Sequence, residues 1–134
     1  MCLDKIIEND HILEEDLTVF KVVKYNLYSK HSFFGIWSDH CQRINKGLNE
    51  AKYKIKIHLF QLYSENKFDE YTTGFHCLEN YPDASDFMVH FYAPFINYSL
   101  RIRKFVIPKG TKVTIGEQSG LKVIVTPVLI NQKG

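Results

Sequence analysis

"LRIRKFVIPKGTKVTIGEQSGLKVIVTPVLI", residues 100–130, carries the fold in its punctuation. Leu100 and Ile102 alternate with Arg101 and Arg103, the two-residue period of a strand with one face covered. "PKG" at 108–110 makes a tight turn, "TKVTI" a second strand, and "GEQSG" at 116–120 a glycine-bounded turn. "LKVIVTPVLI" is a last strand, in which Pro127 marks an edge or a bulge because it has no N–H to give a ladder. Short strands joined by tight turns in this way build a sheet of neighbouring antiparallel strands.

Working back along the chain, "LTVFKVVKY" (17–25) is β-branched and aromatic almost throughout, as a buried central strand is. "NLYSKHSFFGIWSDHCQ" (26–42) follows neither the strand nor the helix period and reads as an aromatic-rich loop over a satellite core. "RINKGLNEAK" (43–52) reads as a short, weak helix around Gly47. In "KYKIKIHLFQLY" (52–63), Tyr53, Ile55, Ile57 and Leu59 share one face of a strand, with Lys54, Lys56 and His58 on the other. After the polar "SENKFDEYTTG", Phe75 to Leu78 form a short extended piece. Pro82 then opens a helix over 82–92, with Asp83 and Asp86 near its N-terminus and Ala84, Phe87, Met88 and Phe91 on one face, before Pro94 ends it. The expected fold is therefore α+β: a mixed or antiparallel sheet of five to six strands, one helix over 82–92 and a weak second over 43–52. The 134 residues make one domain with a polar, acidic segment at 1–16.

Apolar residues at 45% and charged residues at 24% are ordinary globular values, whereas 14% aromatics is high and favours strands and ligand contacts. The formal charge of +2 gives no argument for nucleic acid as partner. Its distribution is more informative. Asp4, Glu8, Asp10, Glu14, Glu15 and Asp16 crowd the start, while Arg43, Lys46, Lys52, Lys54 and Lys56 form one basic run and Arg101, Arg103, Lys104, Lys109 and Lys112 another. Cys2, Cys41 and Cys77 are odd in number and widely spaced, which points to a reducing, cytoplasmic setting. No stretch has the length and apolarity of a signal peptide or membrane span, so no membrane is expected as partner.

The six histidines, His11, His31, His40, His58, His76 and His90, form no HxxxH or HxH pair, so no metal is expected. Cys77 beside His76 and Cys41 beside His40 would point to opposite faces of a strand, a poor arrangement for thiolate and base. GxGxxG, GxxxxGK[ST], GxSxG and HExxH are all missing, and no catalytic residue or cofactor is assigned. What remains is an anion-binding constellation. Lys24, Lys54, Arg101 and Arg103 would supply charge, and Trp37 and Tyr92 rings to stack on a base. In "TTGFHCLENYPDASDFM" (72–88), Gly74 frees the turn, Phe75 anchors in the core, and His76 projects the other way as a hydrogen-bonding or phosphate-contacting group.

The chain's "MCL" start, "GFH" at 74–76 and "IPKGT" at 107–111 resemble a class of short bacterial and phage proteins. That resemblance implies a non-catalytic module that captures an anionic small molecule, such as a nucleotide immune signal, to blunt host defence in the host cytoplasm. It leaves room for a homo-oligomer and for a host protein as partner. Val19-Phe20-Lys21, Gly74-Phe75-His76 with Ala84, and Pro108-Lys109-Gly110-Thr111 are similar, more distantly, to the ADP-ribosyltransferase fold, which implies an NAD-using enzyme. Lys21 or Lys24 stands at that family's early Arg or His position, no STS-like motif follows, and Glu117 lies in a turn. A third reading makes "FFGIW" (33–37) an aromatic patch that inhibits a protein partner.

Overall fold

The computed structural model describes residues 3–26, 32–34, 42–58, 70–92 and 100–132. Its elements are β1 (Lys5–Ile12), β2 (Leu17–Asn26), β3 (Ser32–Phe34), β4 (Arg43–Ile44), β5 (Gly47–Glu50), β6 (Lys56–His58), β7 (Glu70–Thr72), β8 (Phe75–Leu78), α1 (Tyr81–Tyr92), β9 (Leu100–Ile107), β10 (Lys112–Gln118), β11 (Leu121–Thr126) and β12 (Val128–Asn131). Strands hold 62% of the described residues, so the α+β expectation of five to six strands is wrong and the protein is mostly β. Eight strands run β1-β10-β11-β8-β2-β9-β12-β5, all antiparallel, β3 adds to β2 and β4 to β3, and β6 and β7 pair separately.

Pro127 explains how so many short strands share one core. β11 and β12 are separated by this single residue, yet four steps along the sheet, through β8, β2 and β9, lie between them. In a flat sheet four steps span about 19 Å, while Thr126 and Val128, two residues apart, can be no more than about 7 Å apart. The sheet therefore curls until both ends of the path meet on one bent strand, closing a ring of β8, β2, β9 and the two halves of residues 121–131. Inside it pack Val19, Val23, Phe75, Cys77, Phe105, Ile107, Ile124 and Leu129, each buried.

The outer face carries a second cluster. Ala84, Phe87 and Met88 of α1 cover it together with Phe20, Val22, Leu78 and Val123 from the strands. Helix α1 matches the expected 82–92, and its start is fixed by Asn80: the Asp83 N–H donates to Asn80 Oδ1 at 2.9 Å while Asn80 Nδ2 reaches back to Asp83 Oδ2 at 3.2 Å. Among the described residues no helix is long and apolar enough to cross a membrane.

Three local expectations fail for physical reasons. Residues 43–50 form strands β4 and β5 instead of a weak helix, because Gly47 sits at φ 91° and the Asn49 side chain bonds the backbone of Asn45 and Gly47, closing a turn. Of the alternation at 52–63, residues 56–58 form β6, which pairs with short β7, Tyr53 and Ile55 before it are exposed, and residues 59–63 lie outside the described residues. The acidic start hides β1, whose Ile6, with Leu3 before it, enters the outer cluster while its carboxylates stay wet. Of the aromatic loop, residues 32–34 pair with β2 and the rest of 27–41 lies outside the described residues.

Candidate ligand-binding cleft

The expected ligand residues fall in separate places. His76 on β8 is buried, 6% exposed, because both faces of the ring wall are covered there. Its Nδ1 lies 3.1 Å from the Gly74 carbonyl and its Nε2 3.4 Å from the Tyr71 hydroxyl, which in turn accepts the Leu3 N–H at 3.2 Å. Burial first, then the Lys21 ammonium, lowers the imidazole pKa to about 3, so the ring is neutral. A neutral ring that donates from Nδ1 to Gly74 must accept at Nε2, which sets the Tyr71 O–H as its donor.

Lys21, named from the sequence only at the early Arg or His position of the ADP-ribosyltransferase resemblance, was not among the expected ligand residues. It is 0% exposed, shares its face of β2 with Val19 and Val23, and donates from Nζ to the His76 carbonyl at 2.8 Å. Registered pairing between β2 and β8 is limited to Phe20 with Leu78. The ammonium thus serves a carbonyl where the strands separate. The available signal was a lysine inside a β-branched run, on the apolar side of the two-residue period.

Gly74 owes its identity to space, not to an unusual φ: a Cβ there would collide with the Thr126 carbonyl. Phe75 does anchor in the ring, at 0% exposed.

Register divides the cations of β2 and β9. Val23 faces Arg101 and Lys21 faces Arg103, whereas Lys24 pairs with Leu100, so Lys24 belongs to the opposite face. The Arg101 guanidinium lies 5.6 Å from the centre of the Tyr25 ring and donates to its own neighbour's carbonyl, Leu100, at 2.8 Å. Arg101, Arg103 and Tyr25 line a shallow depression. Trp37 and the side chain of Tyr92 lie outside the described residues.

Of the expected set, Lys54 reaches a different cleft. This cleft, about 250 Å³, lies between β1, β7, β10 and the end of β11. Tyr71, Val113 and Val125 form its buried floor, and Lys54, Lys56 and Lys112 stand exposed around it. Lys56 lies 3.8 Å from Glu70, whose other oxygen is 3.1 Å from His58 Nε2. Asp10, at φ 52° within a register shift of β1, adds a second carboxylate. Among the described residues, three ammonium groups against Asp10 and Glu70 leave the lining with a positive balance.

Several polar groups of the walls are already engaged. The Thr114 hydroxyl donates to Asn9 Oδ1 at 2.7 Å, and Asn9 Nδ2 donates to the Glu70 carbonyl at 2.8 Å, tying β1 to β10 and β7. Thr126 donates to the Val128 carbonyl at 2.9 Å. These bonds hold the walls still and present the lysines on a fixed frame. Among the described residues no three His, Cys, Asp or Glu side chains gather as metal ligands would. No family model, curated protein or solved structure matches the chain.

Proposed function

We propose that the protein binds a small anionic molecule in the cleft between β1, β7 and β10, and holds it without chemical change. The observation that carries this reading is the positive balance of Lys54, Lys56 and Lys112 on walls whose threonine and asparagine groups are fixed by internal bonds. At about 250 Å³ the space suits a phosphate with its sugar better than a whole nucleotide. Among the described residues no exposed ring belongs to the lining, since Tyr71 is 2% exposed. Recognition then rests on the charge of the lysines, with the base of a nucleotide left outside. Capture of a nucleotide signal, the role implied by the resemblance to phage proteins, fits such a device.

The test is titration calorimetry with inorganic phosphate, ribose 5-phosphate and adenosine monophosphate, followed by native mass spectrometry and denaturation. Binding of the phosphate-bearing probes, with the ligand released intact, supports the proposal. No affinity for any of the three removes it, and a ligand released in altered form would replace sequestration by catalysis.

A further inference from the structure

Among the described residues the strand β5 has one neighbour in the sheet, β12, and its other side faces the residues that lead into it. Leu129 pairs with Asn49 and the Ala51 N–H donates to the Pro127 carbonyl at 2.8 Å, so residues 49 and 51 turn their backbone groups toward β12. By alternation Leu48, Glu50 and Lys52 turn theirs away.

Among the described residues no strand stands in ladder contact on that far side, and a side chain takes the place of one. Gln42 Nε2 donates to the Glu50 carbonyl at 2.6 Å, and the Lys52 N–H donates to Gln42 Oε1 at 2.8 Å. One amide group thereby gives to the carbonyl before Ala51 and takes from the N–H after it, as the N–H and C=O of a single residue in a parallel neighbouring strand would. One turn on, Asn49 bridges to the backbone of Asn45. Residues 42–45 and 48–52 therefore lie side by side, held apart by side-chain amides, and a groove of about 520 Å³ runs between them. Arg43 and Lys52 are exposed along it, Lys46 is exposed at its turn, and Glu50 is the sole carboxylate of this stretch. Leu48, 61% exposed, offers an apolar contact.

We infer that this groove is a strand-addition site for an extended acidic peptide, with the Gln42 amide holding two of the ladder positions the peptide takes. Backbone pairing to Leu48 and Glu50 supplies the affinity, and Arg43, Lys46 and Lys52 select carboxylates on the incoming strand. Charge argues for such a peptide over a second copy, because two copies meeting here would set these cations against each other. The site is independent of the anion cleft, which lies on other strands.

The probe is a labelled alternating Glu-Val hexapeptide, capped at both ends, compared with its Lys-Val counterpart by fluorescence anisotropy on the full chain. The acidic peptide is expected to bind and the basic one not, with slowed amide exchange at Leu48 and Glu50. Gln42→Ala, which leaves the two positions open, is expected to tighten binding about five-fold. The double variant Arg43→Glu, Lys52→Glu keeps the ladder and should reverse the preference toward the basic peptide. Failure of both wild type and Gln42→Ala to prefer the acidic peptide overturns the inference. So does a Gln42→Ala protein that ignores both peptides and dimerises in sedimentation velocity, which would give the edge to a second copy. If Gln42→Ala does not fold, the charge-reversed variant decides: an unchanged preference removes the site.

Discussion

Lys21 on β2 and Lys112 on β10 belong to one sheet, yet their ammonium groups live in opposite circumstances. The first is wholly buried inside the ring, 2.8 Å from the His76 carbonyl, in a region where Tyr71, His76 and Gly74 pass hydrogen bonds from one to the next. The second is exposed on the rim of the cleft, where lysines outnumber carboxylates. The buried groups of Lys21 and His76 are satisfied by the protein itself and act on stability. Those on the rim keep capacity for something else.

Acid should therefore act through the buried groups. His76 has a folded pKa of about 3 against 6.5 when unfolded. Between these values the unfolded chain binds the extra proton, so the contribution to stability is full above about pH 6.5 and is lost as pH falls toward 3. The slope is about 1.4 kcal/mol per pH unit, about 3 kcal/mol by pH 4. Urea unfolding at a series of pH values should show it in the wild type and not in His76→Gln; equal slopes would mean that His76 is not held neutral. Next, Lys21→Ala should cost about 2–3 kcal/mol, from the cavity and the carbonyl left without its donor. Lys21→Met keeps the volume and removes a buried charge, so it should cost about 1 kcal/mol less than Ala. A Met variant as unstable as Ala would show that the ammonium, not the stem, matters. Gly74→Ala should cost about 1–2 kcal/mol by denaturant midpoint, from the clash with the Thr126 carbonyl.

The same division explains which parts sequence alone could supply. Strands β2, β8, β9 and β11 and helix α1 show through because each writes its buried face in a run of apolar residues. Strands β1, β4 and β5 do not, since their identity comes from pairing partners far along the chain: Ile6 opposite Gly116, Leu48 opposite Ile130. The helix expectation for 43–52 failed on local signals that Asn49 and Gly47 turn to another use. For the site, Lys54 of the expected ligand residues lines the cleft, while Asn9, Thr114 and Lys112 meet it through ladders that no short motif encodes. His76 was placed at a rim and lies in the wall, because its strand is covered on both faces.

The smallest effect on stability should come with the clearest effect on binding. Lys112 is exposed at the start of β10, and charge reversal there removes no packing, so Lys112→Glu should leave the denaturation midpoint within about 0.5 kcal/mol. In the cleft it turns the positive balance over. If the ligand is anionic and sits among Lys54, Lys56 and Lys112, affinity for the phosphate probes should fall about ten-fold, with a weaker dependence on salt. Arg101→Glu is the matched control, since it alters the same net charge on the depression beside Tyr25, away from the cleft lining. Equal losses in the two variants would mean that phosphate answers only to overall charge. A loss confined to Lys112→Glu would locate the ligand at the rim, and would show that the polar groups left open there, unlike those closed within the ring, are the ones available for binding.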